Sequence, residues 1–184
     1  EACNRITSGI LIGLAPMVTI QELGWTQITY ANWIAITGVT AAVLGVLCSP
    51  WIDRVGALRI LKWVVMFRIG LLGLTAALEP YWGIHQVFES FLMINAVATQ
   101  LVTVTLIALF MRLCSPRVAA SQFAVYMALA NMTYSLGSGL MVPLSHWTHQ
   151  AGIMLVCAAL IALMWLLIHW VDFERHDQDL NKLS

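Results

Sequence analysis

Six times along this chain a predominantly apolar run is closed by a short polar or turn-forming stretch. That rhythm restricts the fold more than any motif does, because a helix of about 20 apolar residues is what crosses a hydrocarbon core of about 30 Å. The runs lie near residues 2–20, 28–50, 58–78, 84–111, 119–142 and 150–171. Between them stand Gln21–Gln27, Pro50–Gly56, Glu79–Gly83, Arg112–Arg117 and Pro143–Gln150, each rich in turn formers or charge. The expected fold is therefore an all-α membrane protein with six transmembrane helices over residues 1–171, followed by a polar tail over 172–184.

Composition supports this. Of 184 residues, 60% are hydrophobic and 10% charged, against about 25% charged in soluble domains. A soluble fold of this size could not cover so much apolar surface, so membrane lipid is the first expected partner. Net charge is zero, which offers nothing to nucleic acid. Cys3, Cys48, Cys114 and Cys157 are scattered without a CxxC spacing, so they are read as packing residues, and no metal or cofactor is expected. The chain opens Glu1-Ala2-Cys3-Asn4-Arg5, with neither Met nor a signal-peptide pattern, and is expected to be cut from a longer protein.

The nine Lys and Arg residues order the map. Arg5 lies near the start of span 1, and Arg54, Arg59, Lys62 and Arg68 surround the second turn. Arg112 and Arg117 sit in the fourth turn, Arg175 and Lys182 in the tail; the other three turns hold none. By the positive-inside rule both ends of the chain are expected to be cytoplasmic. Trp25, Trp82 and Trp147 fall in the outer turns and Trp51, Trp63 and Trp170 at the inner boundary, as two aromatic belts would. Arg68 lies about 9 Å along span 3 from Lys62 and is expected to snorkel back to the headgroups.

The second turn reads Ser49-Pro-Trp-Ile-Asp53-Arg54-Val-Gly56-Ala-Leu-Arg59. Asp53 closes a helix, where the macrodipole makes its charge locally unfavourable, so it calls for a positive partner. Gly56 permits a tight reversal. The segment resembles the cytoplasmic loop signature of the major facilitator superfamily, G-x-x-x-D-R-x-G-x-R-[RK]. Asp53, Arg54 and Gly56 match in register and Arg59 matches the second basic position, while Ser49 replaces the first glycine and Leu58 the first basic residue. The resemblance implies one six-helix half of a twelve-helix bundle in the plasma (bacterial inner) membrane. It also implies that Asp53, Arg54, Gly56 and Arg59 steady one state of a transport cycle. A weakened copy of the signature points to the C-terminal half, with an N-terminal six-helix half as the missing partner. More loosely, Gln21-Glu-Leu-Gly-Trp-Thr and Ala119-Ala-Ser-Gln122-Phe-Ala-Val-Tyr-Met-Ala-Leu-Ala-Asn131 are similar to the muropeptide permease and acetyl-coenzyme A transporter branch.

Helical faces add candidates. Ala31, Ala35, Gly38, Ala42, Gly45 and Ser49 fall within about 80° on span 2, a small-residue face that lets another helix approach closely, with Gly38, Ala42 and Gly45 at its centre. Ser135, Gly137, Ser138 and Gly139 near the end of span 5 are read the same way. Span 4 groups Glu89, Thr99, Gln100 and Thr103, and span 1 groups Glu1, Asn4, Arg5 and Ser8, with Glu1 and Arg5 at the pairing interval of four. Ionisable groups inside a membrane face a bundle interior or a pathway. Glu1, Asn4, Arg5, Glu89 and Gln100 are accordingly the expected path for a small polar or anionic solute. Arg5 would attract the anion and Glu1 or Glu89 would carry a coupling proton. In the superfamily, the first and fourth helices of each half line the cavity.

Two other readings compete. Six spans with Gly137-Ser138-Gly139 and His169 are similar to an intramembrane serine protease. Leu136, however, stands where G-x-S-G needs glycine, and Ser138 and His169 lie more than about 20 Å apart in depth. A complete six-span channel or scaffold would explain the length but not the Asp-Arg-x-Gly turn. A half-bundle without its partner should instead leave a small-residue face exposed.

Overall fold

The computed structural model describes residues 1–113 and 119–170. Among them every element is helical. Helix α1 (Ala2–Pro16) runs on through a π-helical stretch, Met17–Glu22, and is followed by α2 (Gln27–Val55), α3 (Ala57–Ala77) and a 3₁₀ turn at Glu79–Tyr81. Helices α4 (His85–Leu113), α5 (Ala119–Trp147) and α6 (Gln150–Trp170) complete the chain. Residues 114–118 and 171–184, which hold Arg117 and the expected tail with Arg175 and Lys182, lie outside the described residues.

Five stretches are long and apolar enough to cross a membrane: Ala2–Glu22, Gln27–Val55, Ala57–Ala77, His85–Met111 and Gln150–Trp170. Helix α5 is equally long at 29 residues, but Ser121, Gln122, Asn131, Thr133, Ser135 and Ser138 make it more polar. Helices α2 and α5 overrun the expected ends, continuing through Pro50 to Val55 and through Pro143 to Trp147. A proline removes one backbone donor, and a long helix in lipid has neighbours enough to absorb that loss. What remains of the second turn is Gly56 alone, at φ 99°, ψ 125°. This positive φ is open to glycine and strained for other residues. Near Pro16 the ladder resets: Leu23 N–H reaches Val18 O at 3.0 Å, five residues back, and Thr19 Oγ1 donates to Ala15 O at 2.8 Å.

Packing follows helical periodicity. Leu61, Val65, Arg68 and Leu72 form the buried stripe of α3, and Ile153, Cys157, Ile161, Met164 and Ile168 that of α6, at intervals of three and four. These two helices pack on each other, α1 lies against α5 and α6, and α4 lies against α2 and α3. Two pairs, α1 with α5 and α2 with α4, thus flank a groove backed by α3 and α6. Outward faces carry Val39, Val43, Leu129, Leu136, Leu163 and Leu166, all exposed, as lipid requires.

The α1–α5 contact is made by glycines. A Cβ on Gly9 would meet the backbone of Tyr134 and Ser138, and one on Gly137 the backbone of Ile6, so Gly137 belongs to a close helix contact as expected. The α2 face is different. Gly45 is buried, and a Cβ there would lie 3.1 Å from Gln100 Cγ. Ala31, Ala35, Gly38 and Ala42 are exposed, and Gly38 has nothing within 4 Å of such a Cβ. The stripe that α2 buries within this chain is Thr37, Ala41, Gly45 and Ile52.

The aromatic belt also needs correcting at one end. Trp25 and Trp82 are buried: the Trp25 indole donates to His85 Nδ1 at 2.9 Å and the Trp82 indole to Thr75 O at 2.9 Å. Each tryptophan found an internal acceptor, so each serves the fold rather than the interface. Trp51, Trp63, Trp147 and Trp170 are exposed.

Candidate functional site

Helix α1 begins with an ion pair. Arg5 Nε lies 2.5 Å from Glu1 Oε1 across one turn, as the spacing of four predicts. One turn on, Ser8 donates to Asn4 O at 3.0 Å. Arg5 and Ser8 both line the groove between the two helix pairs, a space of about 380 Å³. Facing them, α4 contributes Asn95, Thr99, Gln100 and Thr103, while Tyr30 and Thr37 of α2 and Tyr134 of α5 close the sides.

The threonine hydroxyls are already committed. Thr99 Oγ1 donates to Asn95 O at 2.7 Å, Thr103 Oγ1 to Thr99 O at 2.9 Å and Thr37 Oγ1 to Ile34 O at 3.0 Å. With their protons so used, these oxygens offer lone pairs to the groove. Arg5 supplies donors. The wall therefore presents a cationic donor with a row of acceptors opposite, suited to a polar solute with an anionic group.

Behind the wall lies the largest departure from expectation. Arg68 does not snorkel; it is 0% exposed. Because it shares a face with Leu61, Val65 and Leu72, its side chain is directed into the bundle rather than along it to the headgroups. Its Nη1 donates to Asn4 Oδ1 of α1 and its Nε to Asn95 Oδ1 of α4 at 3.3 Å. A guanidinium out of water costs several kcal/mol unless well bonded. Here two carboxamide oxygens do that work, and among the described residues the only side-chain ion pair is Arg5–Glu1. Arg68 Nη2, Asn4 Nδ2 and Thr7 Oγ1 are buried without a hydrogen-bond partner among the described residues.

Of the expected pathway residues, Arg5 and Gln100 line the groove together. Asn4 is buried behind it on Arg68. Glu1 holds Arg5 and borders a second cavity at the basic end, with Tyr126 beside it. Glu89 is half-buried and is not among the residues lining the groove; eleven residues separate it from Gln100, about 16 Å of rise. Gly45 packs on Gln100, whereas Gly38 borders the groove itself. Asp53, Arg54 and Arg59 are exposed around Gly56. Asn95, Tyr30, Thr37, Tyr134 and the role of Arg68 were missed. For Asn95 a signal existed, since it stands four residues before Thr99. For Arg68 the signal was a lone charge in phase with an apolar stripe.

Residues 1–183 match the family model described as Major Facilitator Superfamily. No curated protein and no solved structure matches the sequence.

Proposed function

Because the chain belongs to the major facilitator superfamily, whose members are membrane transporters of small solutes, we propose that its groove carries a small polar or anionic solute by alternating access. Six spans, α1 to α6, make one half of the transporter, read as the C-terminal half. An N-terminal six-helix half covers the open side of the groove. Both ends of the chain are cytoplasmic in the plasma (bacterial inner) membrane. Arg5 receives the anionic group and Gln100 and the α4 threonines orient the rest. Glu1 exchanges a coupling proton against Arg5, with Glu89 the second proton candidate at the outer rim. Asp53, Arg54, Gly56 and Arg59 form the cytoplasmic contact that steadies one state.

The observation that carries this reading is Arg5 on α1 and Thr99, Gln100 and Thr103 on α4 lining one groove, since those helices line the cavity in this superfamily. The exposed Ala31, Ala35, Gly38 and Ala42 face supports a second half packed there, as helices in lipid associate through small residues.

Uptake into proteoliposomes by the full-length protein tests it, with muropeptides, acetyl-coenzyme A and simpler organic anions as solutes. Losing a hydrogen bond to a charged group costs about 1.5–3 kcal/mol, so Arg5→Gln should raise KM for the transported anion about 10- to 100-fold. Arg5→Lys should retain part of the activity. An unchanged KM in Arg5→Gln would remove the groove from the transport path. A pH gradient that drives wild type and Glu89→Gln equally would remove Glu89 from coupling.

A further inference from the structure

On the face of α4 turned away from the transport groove lies a second, almost wholly apolar groove of about 430 Å³. Its α3 wall is Trp63, Val64 and Phe67, its α4 wall includes Val97 and Leu101, and Trp51 of α2 closes one end. Trp51 is 50% exposed and Trp63 62% exposed, so the groove opens onto the surface that faces lipid. Any membrane would wet it; the charges at its end make it selective.

Arg54 follows Trp51 by three residues on the last turns of α2, and Arg59 precedes Trp63 by four on the first turn of α3. At those spacings each arginine shares a helix face with the tryptophan that lines the groove. Gly56 links the two helices, so both guanidinium groups come to the same end. Both are exposed, neither is in an ion pair among the described residues, and Lys62 adds a further positive charge against the single carboxylate of Asp53. The walls run about 12 Å along α4 from Met93 to Leu101.

We propose that this groove is a binding site for one anionic phospholipid. An acyl chain lies between α3 and α4 under Trp51 and Trp63, and the headgroup phosphate sits between Arg54 and Arg59. An apolar slot with two exposed arginines at one end matches an apolar tail joined to an anionic head. Arginine binds phosphate through paired donors, and the indoles sit at headgroup depth, where amphipathic rings belong. The slot is separate from the transport groove and does not depend on which solute is carried, but its headgroup end uses Arg54 and Arg59, so the lipid and the proposed cytoplasmic contact compete for the same guanidinium groups.

The test uses the full-length protein in vesicles of phosphatidylcholine, with and without phosphatidylglycerol. Read out are the thermal midpoint and the lipid retained on the protein in native mass spectrometry. A bound lipid stabilises the folded state by mass action, so phosphatidylglycerol should raise the midpoint by about 3 °C or more and be retained in preference to phosphatidylcholine. Arg54→Gln with Arg59→Gln, both at exposed positions, should abolish the preference while the protein stays folded. Val97→Trp, which fills the slot and leaves the charges, should abolish it too. Equal retention of both lipids by the wild type would overturn the proposal. So would a preference that survives both variants, or one lost with the arginines but kept in Val97→Trp, which would mean a diffuse surface attraction.

Discussion

Arg68 is the residue with the most at stake. Its charge is held in the bundle by two neutral oxygens, Asn4 Oδ1 and Asn95 Oδ1, and hydrogen bonds to a charged group contribute about 1.5–3 kcal/mol each. Asn95→Leu should therefore lower the thermal midpoint in detergent by the equivalent of about 1.5–3 kcal/mol. Asn95→Asp keeps the shape and supplies the missing countercharge, so its midpoint should equal or exceed the wild type. A drop as large as that of Asn95→Leu would show that neutral oxygens are required there. Arg68 ties α3 to α1 and α4, the two helices that carry the polar groove wall. A change at Asn95 is therefore expected to reach transport through their spacing as well as through lost contacts.

At the scale of elements, the decisive contact is glycine against backbone. Gly9 of α1 and Gly137 of α5 leave no room for a Cβ, since the opposing atoms belong to the partner helix backbone and cannot rotate aside. Gly9→Ala or Gly137→Ala should force the helices apart and destabilise by about 1–3 kcal/mol or more, seen as a lower unfolding midpoint. Gly38→Ala is the matching control. With nothing within 4 Å it should leave the fold intact and gain up to about 1 kcal/mol in helix propensity. The same substitution enlarged to Gly38→Trp separates two roles for α2. On the half-bundle reading it should leave α1–α6 folded yet cut uptake, because a bulky ring there would intrude on the groove that Gly38 borders and hold off the other half. Undiminished uptake would count against a partner on that face.

At the scale of the whole molecule, the question is which compartment each end of the bundle faces. The Gly56 link joins α2 and α3 at one end. At the other, Gln150 Nε2 donates to Glu22 Oε1 at 2.5 Å and Trp25 meets His85, tying three turns together. The Gly56 end carries Arg54, Arg59 and Lys62, and the opposite end carries Glu22 and Glu79 without a Lys or Arg. By the positive-inside rule, single cysteines placed at Arg54 and at Gly83 in a cysteine-free protein should label from opposite sides, with position 54 reached only from the cytoplasm. Labelling of both from one compartment would undo the orientation and, with it, the cytoplasmic role of the Asp53–Arg59 turn.

Much of this was legible in the residues alone. Apolar run length depends on the solvent the chain meets, so the succession of long helices and the Glu1–Arg5 pair could be read locally. Gly56 was legible too, because a reversal that short admits little else. Neighbours across the bundle were not. Whether Arg68 turns outward or inward depends on oxygens 64 residues before it and 27 after it. Whether Trp25 sits in a belt depends on His85, and whether Gly38 or Gly45 meets a partner depends on where α4 lies. A single helical wheel ranks faces by polarity and size; only the tertiary packing decides which face meets protein, which meets lipid and which is left to line a groove.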